Sequence, residues 1–125
     1  MSSRNQVSIT DLNKISKKLV KSFFPSNDIY SLLVLSLVTV TKYSHKKYHL
    51  SAQTRIDLAS EFVPDLIQLL ISDEVITEDI GEELNNQYQN KREEIPMILQ
   101  AYIFASGGLN VKIEPKSEKN KCNTM

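Results

Sequence analysis

One short segment, from Lys42 to His49, concentrates the side chains of this chain that are best suited to contacting an anionic ligand. Lysine ammonium groups contact phosphates, and exposed tyrosine rings stack on nucleic-acid bases. Arginine, the usual reader of guanine edges, is scarce throughout the chain. The segment is therefore a candidate contact for nucleic acid or an acidic partner, and the alternative is a solubilising connector. The candidate residues are Lys42, Tyr43, Lys46, Lys47 and Tyr48.

His45 and His49 are four residues apart, which on a helix is the spacing of paired zinc ligands. A metal site needs further ligands, and no cysteine lies near this pair in the sequence. Lysines at positions 46 and 47 would also repel a cation. We therefore predict two exposed connector histidines, with no bound metal and no cofactor.

Four pairs of adjacent carboxylates are the remaining groups with potential for acid–base chemistry, which requires a cleft and separated pKa values. Their positions fit the first turns and polar faces of helices, where capping and solvation explain them. The single cysteine lies in a polar C-terminal stretch, and three glycines form no phosphate loop. We predict a protein without enzymatic activity or a small-molecule ligand. The pairs are Asp73-Glu74, Glu78-Asp79, Glu82-Glu83 and Glu93-Glu94.

The apolar spacing predicts the helices that position these groups. A first helix from Thr10 to Phe24, capped by Ser8 or Thr10, carries its lysines off the apolar stripe. A second helix, Ile29–Tyr43, is apolar on nearly every side and belongs at the centre of a bundle. Its β-branched end leaves a strand as the alternative, although length and capping favour a helix. The lysines that would extend the basic segment are Lys14, Lys17, Lys18 and Lys21.

Three further helices follow Ser51, Thr77 and a capping box at Asn90 and Glu93. Pro64 must kink or divide the third, and the unbroken apolar period favours a kink. The fourth is acidic, and its thin apolar stripe either covers the core or meets a partner. In the fifth, Tyr102 faces inward and Phe104 points away, which makes Phe104 a candidate interface anchor.

These elements predict an all-α fold, a compact bundle of about five helices. We expect a flexible N-terminus over residues 1–8, a helical domain over 9–113 and a polar tail over 114–125, whose lysines are candidate interface residues. The N-terminus lacks the apolar core of a signal peptide, and the run 29–40 is too short to span a bilayer. We therefore expect an intracellular protein that is not secreted. The tail lysines are Lys116, Lys119 and Lys121.

Charge is balanced overall but separated along the chain. Residues 1–60 contain nine Lys or Arg and three Asp or Glu, whereas residues 61–110 contain two and ten. Such asymmetry steers partners or favours head-to-tail contacts between molecules. The alternative is two solvated faces of one domain that attract each other.

Several segments between residues 40 and 113 resemble small helical proteins encoded by large nucleocytoplasmic DNA viruses. They are the stretch from Lys42 through Leu50-Ser51 into the long kinked helix, the acidic helix after it, and the run Ile95-Pro96-Met97-Ile98-Leu99, which ends at Ser106-Gly107-Gly108-Leu109-Asn110-Val111-Lys112-Ile113. The resemblance implies no active-site residues, and it suggests a place in a virion, because some such proteins are packaged there. We expect a structural or interaction protein within a larger assembly, or a small accessory nucleic-acid-binding protein that uses the basic half.

Overall fold

A computed structural model describes residues 8–24, 27–46 and 49–105 of the chain. These residues form five α-helices and, within the described ranges, no strand, which confirms the all-α prediction. Of the expected segments 1–8, 9–113 and 114–125, the boundary between residues 8 and 9 lies within the described residues. The boundary between residues 113 and 114 lies outside them. The helices are α1 (Ile9–Phe23), α2 (Ile29–Lys46), α3 (Ala52–Ser72), α4 (Glu78–Asn90) and α5 (Ile95–Ala105).

Polar side chains cap four of the helices at the places where the sequence offers them. Each oxygen accepts a hydrogen bond from the backbone N–H three residues later, which satisfies a group that the first helical turn leaves unpaired. The predicted capping box at Asn90 is wrong, because α4 continues to Asn90 and α5 begins at Ile95 after a turn. The capping residues are Ser8, Asp28, Ser51 and Thr77.

Helix α2 is enclosed by its neighbours on every side. Residues 35–41 are all buried, and this run covers about two helical turns. A helix can bury such a run only when other helices surround it. Helix α2 packs most extensively against α3 and α1, with smaller contacts to α4 and α5. The prediction of a central helix rather than a strand is confirmed.

Buried hydroxyl groups join α2 to both of its main neighbours. The Ser16 and Thr39 hydroxyls lie 3.0 Å apart between α1 and α2. Ser36 of α2 donates to the Ala59 carbonyl oxygen of α3 at 2.6 Å. Because a buried hydroxyl without a partner is costly, each pair favours one register of its two helices.

Helix α3 runs through Pro64 without being divided. Proline has no N–H, so the carbonyl of Ser60, four residues earlier, lacks its usual helical donor. The Tyr88 hydroxyl of α4 donates to that oxygen at 3.0 Å. Ser36 of α2 bonds the preceding carbonyl, that of Ala59, which keeps its own helical donor, so only the Ser60 carbonyl depends on a side chain to replace the donor that the proline removes.

The corner between α3 and α4 depends on one strained residue and one close approach. Glu74 has a φ of 61°, and the Val75 N–H donates to the Leu70 carbonyl, as in a Schellman helix ending. A Cβ atom placed on Gly81 would lie 2.5 Å from Cδ1 of Ile71. Gly81, which lowers helix propensity, therefore lets α4 approach α3 closely.

We predict that Tyr88→Phe lowers the free energy of unfolding by about 1–2 kcal/mol, because the half-buried Ser60 carbonyl loses its donor. In a Pro64→Ala background the backbone N–H of residue 64 can supply that donor. The cost of Tyr88→Phe should therefore fall by about 1 kcal/mol there. Urea unfolding of the four proteins of this double-mutant cycle measures the difference.

Ser36→Ala provides the matched control for this cycle. Its acceptor is the Ala59 carbonyl, whose helical donor at residue 63 is not affected by the proline. Its cost should be the same in the wild-type and Pro64→Ala backgrounds. Equal costs of Tyr88→Phe in both backgrounds would contradict the assignment.

Candidate functional site

A groove between α1 and α2 brings together part of the predicted basic patch. It encloses about 150 Å³ and contains three lysines and one carboxylate. Helix α1 therefore lies beside the end of α2, as it must if its lysines are to extend the basic segment. We call this site the basic groove; its lining residues are Asp11, Lys14, Ile15, Lys18, Tyr43 and Lys46.

Tyr43 forms the floor of the basic groove and cannot stack on a base. Its side chain is only 1% exposed, and its hydroxyl accepts a hydrogen bond from the Ser8 N–H at 3.4 Å. The prediction of Tyr43 as a stacking residue is wrong. The physical reason is that Tyr43 follows Ser36 and Thr39 on the inner face of α2, seven and four residues further along the helix.

The segment predicted as a polar connector is helical over its first half, because α2 continues to Lys46. Lys42 is half-buried and Lys46 is exposed, so both keep their ammonium groups near solvent. Lys47 and Tyr48 lie outside the described residues. His45 lies in the last turn of α2 and His49 lies beyond the helix, so the two imidazoles do not share a helix face.

The outer face of α5 is apolar except for Gln100 and carries no charge. Phe104 is 81% exposed and Met97 is 71% exposed. They are seven residues apart and share one face, with exposed Gln100 and Ala101 between them. The predicted exposure of Phe104 is confirmed. Met97 was missed, although its seven-residue distance from Phe104 was the signal that could have found it.

A second groove, which the sequence did not indicate, lies between α5 and the start of α2. It encloses about 330 Å³ and is lined by Tyr30, Tyr102 and Phe23, among others. The Lys91 ammonium lies 5.7 Å from the centre of the Tyr30 ring, within the range of a cation–π contact. Burial raises the pKa of the Tyr102 hydroxyl above its ordinary 10.0, and Tyr30 and Asp28 add to the rise.

The acidic helix α4 covers the core with its apolar stripe, because Leu84 and Tyr88 are buried and Ile80 is half-buried. Its four carboxylates, on the opposite side, are exposed. Across the described residues, no group of three or more His, Cys, Asp or Glu side chains is placed to hold a metal ion. The carboxylates are Glu78, Asp79, Glu82 and Glu83.

Comparison with known protein families, curated proteins and solved structures finds no match to this chain. No helix in the described part of the chain combines the length and apolar character needed to cross a membrane. The predicted interface lysines Lys116, Lys119 and Lys121 lie outside the described residues. Two surface properties of the described residues could serve binding: positive charge at the basic groove and exposed apolar side chains on α5.

The raised pKa of Tyr102 predicts a pH dependence of stability. The unfolded chain ionises this phenol near pH 10 and the folded chain at higher pH. Its contribution to stability is therefore complete below pH 10 and is lost as pH rises through the folded pKa. Between about pH 9 and 11, wild-type protein should lose stability more steeply than Tyr102→Phe in urea unfolding. An equal dependence of the unfolding free energy on pH in the two proteins would contradict the raised pKa of Tyr102.

Proposed function

We propose that the protein is a non-enzymatic interaction protein that binds a partner protein through the outer face of α5. The exposure of Met97 and Phe104 is the observation that carries this proposal. The resemblance to small viral proteins extends it to a minor component of a virion or another large assembly.

The α5 face has the composition of the centre of an interface. Aromatic residues and methionine are enriched at protein interfaces, and charged residues are depleted there. Helix α5 contains no Asp, Glu, Lys or Arg, so a partner can cover it without desolvating an unpaired charge. Its inner residues Ile95 and Leu99 already fill the core, so the outer pair is not needed for folding.

We predict that Phe104→Ser weakens binding of the partner by about thirtyfold, as expected for an interface anchor. Stability should change by no more than about 0.5 kcal/mol, because the ring is exposed. Quantitative affinity capture from native material identifies the partner, and titration calorimetry with that purified partner measures the affinity.

Ile9→Ser is the matched control, because Ile9 is exposed to 42% and lies on α1. It should leave the affinity unchanged. Unchanged affinity of Met97→Ser/Phe104→Ser for every captured protein would contradict the proposal.

A second candidate function, nucleic-acid binding, is favoured by one specific observation. Lys14, Lys18 and Lys46, from two different helices, line a single groove. Three ammonium groups gathered in this way can follow a phosphate backbone. The loss of Tyr43 as a stacking group restricts this candidate to backbone contacts, which are independent of sequence.

We predict for this candidate that an oligo-dT strand binds with a logarithmic salt slope of about −2, as three phosphate contacts to a single strand require. Lys14→Ala/Lys18→Ala/Lys46→Ala should remove both the binding and the slope. Lys91→Ala, outside the basic groove, should retain them. Fluorescence anisotropy between about 25 and 200 mM salt measures the slope, and absence of binding at low salt would eliminate this function.

A further inference from the structure

The lysines of α1 and the carboxylates of α4 form two exposed surfaces of opposite charge. All eight side chains are exposed. No ion pair joins the two sets within the described residues, so neither surface is neutralised by the other. The lysines are Lys14, Lys17, Lys18 and Lys21, and the carboxylates are Glu78, Asp79, Glu82 and Glu83.

The fold keeps these two surfaces apart. Helix α1 packs on α2 and α3, and α4 packs on α3 and α2, whereas α1 and α4 make at most marginal contact with each other. The two charged faces therefore lie on separate outer faces of the bundle. The expectation that they attract each other within one domain does not hold for α1 and α4, because α2 and α3 occupy the space between them.

Both helices carry like charges four residues apart, although the four lysines span eight residues and the four carboxylates span six. Each carries two rows of two like charges, and the members of a row are four residues apart, which is a rise of about 6 Å. Like charges at this spacing repel each other within an isolated helix. A helix with the opposite pattern relieves that repulsion on both sides at once. The rows are Lys14 with Lys18, Lys17 with Lys21, Glu78 with Glu82, and Asp79 with Glu83.

We infer that the basic groove and α1 of one molecule bind the acidic face of α4 of a second molecule. The basic groove, with Lys14, Lys18 and Lys46 on its walls, provides the concave side of this contact, and α4 provides the convex side. The net charge of the chain is zero at pH 7, so no overall repulsion opposes association of copies.

The contact joins two different surfaces, so each bound molecule still presents one free surface of each kind. Such a heterologous contact adds further copies in sequence unless its rotation closes a ring. Exposed ion pairs contribute little individually and are screened by salt. The assembly is therefore weak, reversible and confined to low ionic strength. This inference does not depend on α5 and stands or falls separately from the proposed function.

Sedimentation velocity of the full chain tests the inference. The wild-type protein should associate at about 20 mM salt and high micromolar concentration, and it should be monomeric at about 300 mM salt, where screening is strong. Association that persists at the higher salt, or a monomer at the lower, would overturn the inference. This salt series requires no variant and therefore remains decisive whatever the stability of the variants below.

Two charge-reversed variants identify the surfaces. Lys14→Glu/Lys18→Glu leaves two lysines and two carboxylates on the basic surface and so cancels its net charge, and Glu82→Lys/Glu83→Lys cancels the net charge of the acidic surface in the same way. Each variant alone should be monomeric at low salt, because it lacks one of the two complementary surfaces. An equimolar mixture should associate again, since the unchanged acidic face of the first variant then meets the unchanged basic surface of the second. A mixture that remains monomeric, with both variants folded by circular dichroism, would overturn the inference.

Two controls separate this contact from the other candidates. Glu93→Lys/Glu94→Lys reverses exposed charges in the turn before α5 and should associate as the wild type does. Met97→Ser/Phe104→Ser should also associate, and loss of association there would assign the contact to α5 instead. Association of the wild type that requires added oligo-dT would show bridging by nucleic acid and would likewise overturn direct contact between copies.

Discussion

The burial of α2 on all of its sides is the constraint on which the rest of the structure depends. A helix that is apolar around its whole circumference stays in water only if other helices cover each side. Here α1 and α3 provide most of that cover, and α4 and α5 complete it. Each covering helix turns its apolar stripe toward α2 or α3, which leaves the charged residues of α1 and α4 facing outward.

Apolar packing alone would allow neighbouring helices to pair in several relative registers. Three buried or half-buried hydroxyl contacts restrict these registers. Ser16 with Thr39 and Ser36 with Ala59 join α2 to its two main neighbours. The third contact, from Tyr88 to Ser60, exists because Pro64 leaves a carbonyl without its helical donor. The proline is thus part of the packing: it creates an acceptor in α3 that α4 satisfies.

The sequence was sufficient for the five helices and for the N-caps of the first four, because their period, these caps and the continuity across Pro64 are local properties; only the cap predicted at Asn90 failed. It was not sufficient for Tyr43 or Gly81, whose roles depend on neighbouring helices. Tyr43 was predicted both as the last residue of the second helix and as an exposed residue of the basic segment, since its lysine-rich surroundings masked the continuation of the inner face of α2. Glycine is a weak helix former wherever it occurs, but the use of Gly81 in the approach to Ile71 depends on the crossing of α3 and α4. The groove at Tyr30 likewise requires α5 to lie against the start of α2.

The outward surfaces of α1, α4 and α5 differ in how far the needs of folding explain their composition. Lysines on α1 and carboxylates on α4 keep amphipathic helices soluble, so folding alone accounts for their presence. The outer face of α5 is different, because Gln, Glu or Lys at Met97 and Phe104 would serve a solitary domain better than exposed apolar groups. The proposed partner would account for the composition of α5, whereas the charges of α1 and α4 need no partner to explain them. Charge pairing at α1 and α4 and apolar burial at α5 also differ in their response to salt. Ionic screening weakens charge pairing and leaves apolar burial largely unchanged.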